Sequence, residues 1–350
     1  MTATPPTLGF LGIHADGRPG QALSQDEVLA GLFAAEGYRV RRASSVKWAP
    51  LRTAHQIWEL LRWRDVDVLV IAVFSGPSFA MAEIGSFLGR RIGRRKVVLF
   101  LHGGNLPAFA PAHEQRVRRA FDRADLILAP SSFLADAFRP WGYDVRVVPN
   151  VLPFDPPAAS VRGAARPALL WMRTFHEHYD PLAAVECMRL VAQAHPDATM
   201  TMAGADHGLL AAVKERAREL GVDDRITFPG YLDARGKAAA FADHDIFLNT
   251  NRVDNTPVSL LEAAANGLVP VAVSVGGIPA LLTDDVDAVL VAPDDLPALA
   301  GAVTGLIDSP ARFERLSAGA RARAEASMWP AVQARWVEEL RLLVPGGYRA

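Results

Sequence analysis

Short apolar runs rich in Val, Ile and Leu alternate with helix-length segments along the whole chain. Several of these runs are apolar at every position, which suits parallel strands covered on both faces. Strands are expected at 8–13, 38–43, 66–74, 97–101, 126–129 and 145–148. The first helix is marked by Ser24 and Glu27 in capping-box spacing, by Val28, Leu29, Leu32 and Phe33 at helical spacing, and by Gly37 at its end.

Pro153, Pro156 and Pro157 then lead into a polar, small-residue stretch at 160–166, after which the alternation restarts. The second set of strands is expected at 168–172, 199–203, 226–228, 246–249, 269–273 and 288–291. Helices are expected at 181–194, 208–220, 235–242, 257–266 and 296–307. Asp180 before Pro181 and Thr256 before Pro257 each place a capping side chain ahead of a proline at the first helical position. Two successive β/α runs predict an α/β protein of two Rossmann-like, doubly wound domains, 1–155 and 156–328. The tail at 310–348 is helical in pattern, and residues 329–350 either cap the second domain or cross back to the first.

Composition narrows the function classes. Lys and Arg (37) nearly cancel Asp and Glu (38), so no overall field recruits nucleic acid. A lone cysteine, Cys187, excludes an internal disulfide framework and a Cys-rich zinc module. The amino-terminal residues lack a basic stretch before an apolar run, and a cytoplasmic protein is expected. Residues 263–283 carry no charge and are long enough to span a bilayer. Asn266, Gly267, Pro270, Gly276, Gly277 and Pro279 interrupt them, however, and fit a helix end, a short strand and a glycine loop better. No transmembrane segment is expected.

The densest chemistry lies between Asp254 and Glu262, where a strand gives way to a helix. A helix start offers free N–H groups and the positive end of its dipole to an anion. At ~1.5 Å per residue Glu262 lies on the order of 9 Å along the axis from the cap, with Asp254 before it. That separation suits one acid on a sugar, a diphosphate over the helix start and the other acid on a ribose. A turn residue and a solvated helix residue are the bland alternative, but Gly276-Gly277-Ile278-Pro279 follows a strand at once, and paired glycines there let a ligand approach the backbone.

The stretch from Asp254 to Glu262, the helix end to Gly267 and the Gly276–Pro279 segment resemble the signature of family 4 glycosyltransferases, retaining enzymes of the GT-B fold. His102-Gly103-Gly104, Pro130-Ser131-Ser132-Phe133-Leu134, Val148-Pro149-Asn150, Arg173 and Ala203-Gly204 follow in the order of that family over most of the chain. The resemblance implies two domains facing a cleft. It also implies a sugar contact at Asp254, a ribose contact at Glu262, and a donor-binding stretch of Asn255, Thr256, Pro257 and Val258 whose backbone amides face sugar and phosphates, Pro257 itself having no N–H to give. It sets Gly204 at the donor and His102 beside the donor sugar; His102 follows a strand, and its bland alternative is a partner for loop carbonyls.

Two positions depart from the family. Asp254 stands where glutamate is usual, one methylene shorter, and His178 stands where a lysine is usual five residues after Arg173. Arg173 can hold a diphosphate bidentately. The second cation is His178, or Lys237 among only four lysines (Lys47, Lys96, Lys214 and Lys237), although Lys237 also reads as a solvated helix residue. Gly17 and Gly20 are candidates for phosphate approach or belong to an ordinary surface loop; their spacing is not that of a dinucleotide fingerprint. The basic run Arg90, Arg91, Arg94, Arg95, Lys96 reads as a solvated helix end, or as a contact for an acidic acceptor or membrane surface. Asp243-His244-Asp245 has metal-ligand letters but precedes a strand, and no metal site is expected.

These readings converge on a retaining transferase moving a sugar from a nucleotide-diphosphate sugar, with no cofactor, to an acceptor that is a sugar, a lipid-linked sugar or a small molecule. An epimerase or hydrolase of the same fold and a non-catalytic sugar-nucleotide binding protein are the alternatives. Acceptor residues are expected in first-domain loops at 106–113 and 74–81.

Overall fold

The computed structural model describes residues 5–14, 23–46, 48–91, 95–152, 154 and 162–344. The chain divides into two compact units, Met1–Pro153 with Trp329–Ala350, and Phe154–Met328.

The first unit is built on β1 (Leu8–Leu11), β2 (Val40–Ala43), β3 (Val68–Val73), β4 (Lys96–Leu101), β5 (Leu126–Ala129) and β6 (Val145–Val147). These run parallel in the order β2-β1-β3-β4-β5-β6. Between them lie α1 (Gln25–Ala35), α2 (Ala49–Arg62), α3 (Ala80–Arg91), α4 (Leu106–Ala112), α5 (Glu114–Phe121) and α6 (Ser132–Phe138). Strand β3, Val-Leu-Val-Ile-Ala-Val, is buried at every position because both faces of the sheet carry an apolar layer. Ser24 caps α1 by accepting from the Glu27 N–H at 3.3 Å. The expected loop at 106–113 is instead α4: Pro107 fits the first turn and Leu106 is fully buried. Residues 76–79 likewise form a 3-10 turn that runs into α3.

The second unit holds β7 (Ala168–Met172), β8 (Thr199–Ala203), β9 (Ile226–Gly230), β10 (Ile246–Asn249), β11 (Val269–Val273) and β12 (Val289–Val291). Its parallel order is β12-β11-β10-β7-β8-β9, the doubly wound order. Helices α7 (Pro181–Ala194), α8 (Leu210–Glu219), α9 (Ala234–Asp243), α10 (Val258–Ala265), α11 (Ile278–Leu281), α12 (Leu296–Ile307) and α13 (Pro310–Glu325) cover it. Asp180 caps α7 as expected, its Oδ1 accepting from the Ala183 N–H at 3.2 Å. Thr256 does not cap α10: the helix starts one residue later, at Val258, and Pro257 occupies the cap with ψ 110° and no side-chain cap bond.

The helical tail forms two elements. α13 belongs to the second unit, and α14 (Trp329–Leu343) packs on the first. Trp336 of α14 is buried edge-on against Phe33 and Phe100, with ring centroids 6.0 and 5.5 Å away. Arg146 reaches Glu339 at 2.7 Å, and the Trp329 indole N–H donates to Glu36 at 3.0 Å. No described helix is long and apolar enough to cross a membrane.

Candidate active site

In the second sheet the winding reverses between β7 and β10, and an open α/β sheet binds its ligands at the carboxyl ends of the strands flanking such a switch point. Arg173 is the first residue beyond β7, and the loop after β10 carries Asn251 and Asp254. The Arg173 guanidinium donates to Asp254 Oδ2. The same oxygen accepts from Asn251 Nδ2 at 2.7 Å, and Oδ1 accepts from the Asn255 N–H at 2.7 Å. The Asn255 amide is therefore turned to this carboxylate rather than toward a ligand, which corrects one of the expected backbone contacts.

Arg173 also lies under the Tyr179 ring, 4.3 Å from its centroid, while its buried Nε has no hydrogen-bond partner among the described residues. Burial pushes the Arg173 pKa downward, opposed first by Tyr179 and then by Glu262. A guanidinium remains charged throughout the physiological range all the same.

Glycines bring these segments together. A Cβ on Gly204 would stand 1.8 Å from the Arg173 carbonyl oxygen, so the end of β8 can pass Arg173 only as glycine. At Gly276 (φ +55°) and Gly277 a Cβ would meet the carbonyl oxygens of Asp254 and Asn255 at 2.0 and 2.1 Å. The paired glycines thus admit the Asp254–Asn255 backbone, and the Gly277 N–H donates to the Asp254 carbonyl at 3.1 Å.

Glu262 is buried on the second turn of α10. Lys237, from α9, reaches both its oxygens, at 2.9 and 3.0 Å. Lys237 is therefore the partner of a buried acid rather than a solvated helix residue. His178 is exposed on the loop before α7, its ring 4.5 Å from that of His176, and is joined to neither acid; its backbone carbonyl accepts from the Arg252 N–H at 2.8 Å. Asn255 and Thr256 are buried, and Val258 is half-buried. Ser259 Oγ and Asn251 Oδ1 are buried with no hydrogen-bond partner among the described residues. Neither was singled out from sequence, where a lone Ser or Asn carries no signal.

In the first unit His102 directly follows β4, and its N–H donates to the Val73 carbonyl at 2.9 Å. Its ring packs on Phe100 and Phe74, with centroids 4.2 and 5.6 Å away. Its Nε2 lies 3.1 Å from Oδ1 of Asp26, a buried residue of the first turn of α1. Gly17 and Gly20 lie outside the described residues.

The other charged clusters make contacts within the fold, with Arg94 of the basic run outside the described residues. Arg90 and Lys96 both approach Asp125, at 3.4 and 3.1 Å, and the buried Arg95 donates to the Trp63 carbonyl. Asp245 is held by Arg162 and Arg166, and His244 lies 2.7 Å from the Ala240 carbonyl and 2.8 Å from Thr201 Oγ1. Among the described residues no group of three or more His, Cys, Asp or Glu side chains could hold a metal ion.

Two family models match: Glycosyltransferase Family 4 over residues 18–156, and Glycosyl transferases group 1 over residues 166–309. The chain is 26% identical over 310 residues to the GDP-mannose-dependent alpha-(1-6)-phosphatidylinositol monomannoside mannosyltransferase of Mycolicibacterium smegmatis, covering 82% of this chain and 80% of that protein. Sucrose-phosphate synthase from Thermosynechococcus elongatus superposes with a TM-score of 0.77 at 16% identity, over 97% of this chain and 99% of that one. HepE from Anabaena, solved in complex with UDP and glucose, gives 0.72 at 16% identity, over 96% and 100%. The chain belongs to the family 4-like glycosyltransferases of the GT-B fold.

Proposed function

We propose that the chain transfers a sugar from a nucleotide-diphosphate sugar to an acceptor hydroxyl with retention at the anomeric carbon. The observation that carries this reading is the clustering of Arg173, Asp254 and the start of α10 at the switch point of the second sheet, with Lys237 and Glu262 alongside. Arg173 and the amides at the start of α10 take the diphosphate, so negative charge developing on the departing phosphate meets donors already in place. Asp254 addresses a sugar hydroxyl. Glu262 accepts from the ribose, since each of its oxygens accepts one bond from Lys237 and keeps a lone pair. Lys237 is the second cation at the site; the exposed position of His178 favours it over that residue.

Among the described residues both carboxylates of the site are engaged, Asp254 by Arg173, Asn251 and Asn255 and Glu262 by Lys237, and the chemistry that fits is displacement on one face of the sugar. The acceptor oxygen bonds to the anomeric carbon as the bond to the phosphate oxygen breaks. The electron pair leaves with the diphosphate, and the acceptor proton passes to the departing phosphate oxygen. His102 of the first unit belongs to the same reaction. The Mycolicibacterium relative is named for a lipid acceptor and GDP-mannose, and HepE was solved with UDP and glucose, so both donors belong in the test. UDP-glucose and GDP-mannose are incubated with sugar and lipid-linked acceptors, and the product anomer is read by NMR. An α-linked product that depends on Arg173 and Glu262 supports the reading. A β-linked product overturns retention, and full transfer by R173A and E262A overturns the site.

A further inference from the structure

We infer that Asp26 is a positioning residue for His102, fixing the imidazole so that Nε2 points to α1 and Nδ1 is the nitrogen left to substrate. The inference rests on the reading of His102 as part of the transfer site, and goes beyond it by assigning a role to a residue 76 positions away in the chain.

A carboxylate removed from water is costly unless a charge or donor meets it. Asp26 is 2% exposed, and neither of its oxygens has a well-aligned hydrogen bond among the described residues. The group brought to it is His102 Nε2, itself buried and likewise without another hydrogen-bond partner among the described residues, at 3.1 Å from Oδ1. The other oxygen rests against Gly12, immediately after β1, where a Cβ would stand 2.0 Å from Oδ2. A side chain at position 12 would therefore push the carboxylate off this spot. The start of α1 adds its dipole, which favours an acid in the first turn. The aromatic packing of Phe100 and Phe74 on the ring limits its rotation.

An acid that holds one imidazole nitrogen sets which nitrogen carries the proton, and so what the opposite nitrogen can offer a reacting group.

The test uses the full chain labelled with 15N-histidine, with H102Q identifying the His102 signals among the nine histidines. The expected spectrum has a proton on Nε2, with or without a second on Nδ1, and in D26N the His102 pattern changes. A proton on Nδ1 alone in the parent protein, or His102 signals identical in D26N, overturns the inference. In turnover of UDP-glucose or GDP-mannose, D26N is expected to lower kcat by about 10–100-fold, as for a carboxylate that orients a working histidine, with donor KM nearly unchanged. An unchanged kcat in D26N overturns the role, as does a rise in KM alone. Full turnover by H102Q would instead remove His102 from the reaction while leaving the pairing legible in the spectra, so the two failures are distinguishable.

Discussion

Gly276 approaches Asp254 so closely that a Cβ would lie 2.0 Å from the Asp254 carbonyl oxygen, on a backbone with φ +55°. Replacing Gly276 by alanine forces the Asp254 loop to move, in addition to the ~1–2 kcal/mol that a left-handed conformation costs an L-residue. Gly37, with φ +86° and open space around its Cβ position, carries the conformational cost alone. G276A is expected to lower the melting temperature and abolish the thermal shift induced by UDP or GDP, whereas G37A lowers the melting temperature only. A nucleotide-induced shift that survives in G276A would separate the loop from donor binding.

The Lys237–Glu262 pair has an unequal cost. The Glu262 side chain is 4% exposed and that of Lys237 27%. K237M leaves a buried carboxylate without its cation and is expected to destabilise the second unit by about 3–5 kcal/mol. Adding E262Q to K237M recovers a large part of that loss, because the uncompensated charge is gone. Urea unfolding of the two single variants and the double variant measures the cycle. Additive losses would mean that the pair is not coupled.

Strand positions were legible because parallel strands buried on both faces leave uninterrupted apolar runs, and β5, β7, β8, β10 and β11 have the bounds read from sequence. The Asp180–Pro181 start of α7 was legible for a local reason, since a cap and its proline are neighbours. Helix α4 was not, because Pro107 and Pro111 in an alanine-rich stretch look like a loop until Leu106 is buried. The site was legible where one segment carries it, as from Asp254 to Glu262. It was illegible where the fold joins distant segments: Asp26 reads as an ordinary first-turn acid until β4 brings His102 to it, and Lys237 reads as a surface residue until α9 meets α10. Gly276 and Gly277 were recognised as sites of close approach, and the Asp254–Asn255 backbone is one segment that approaches them.

Helix α14 holds to the first unit through Trp336, which is 1% exposed among Phe33, Phe100, Val332 and Leu340. Truncating a buried aromatic costs about 3–5 kcal/mol. W336A is expected to lose that much by chemical denaturation, while L342A, on the same helix at 62% exposure, changes stability by less than about 0.5 kcal/mol. Equal losses from both would show that α14 does not bury Trp336 in solution.

Asp245 makes the second unit acid-sensitive in a predictable direction. Burial alone would raise its pKa, but hydrogen bonds from Arg166 and Arg162 outweigh burial and hold the carboxyl below its ordinary value of 3.8. The folded state therefore binds this proton more weakly than the unfolded chain. The contribution of Asp245 is fully present above about pH 5, and is lost as pH falls past that ordinary value toward the lower folded one. The parent protein should lose stability over that range with a steeper slope than D245N, which has no proton to take up there. D245N should also be less stable at pH 7, since Arg162 and Arg166 converge on a position that no longer carries charge. Urea titrations from pH 7 down to about pH 3 measure both quantities; parallel curves for the two proteins would show that Asp245 is not a source of the acid sensitivity.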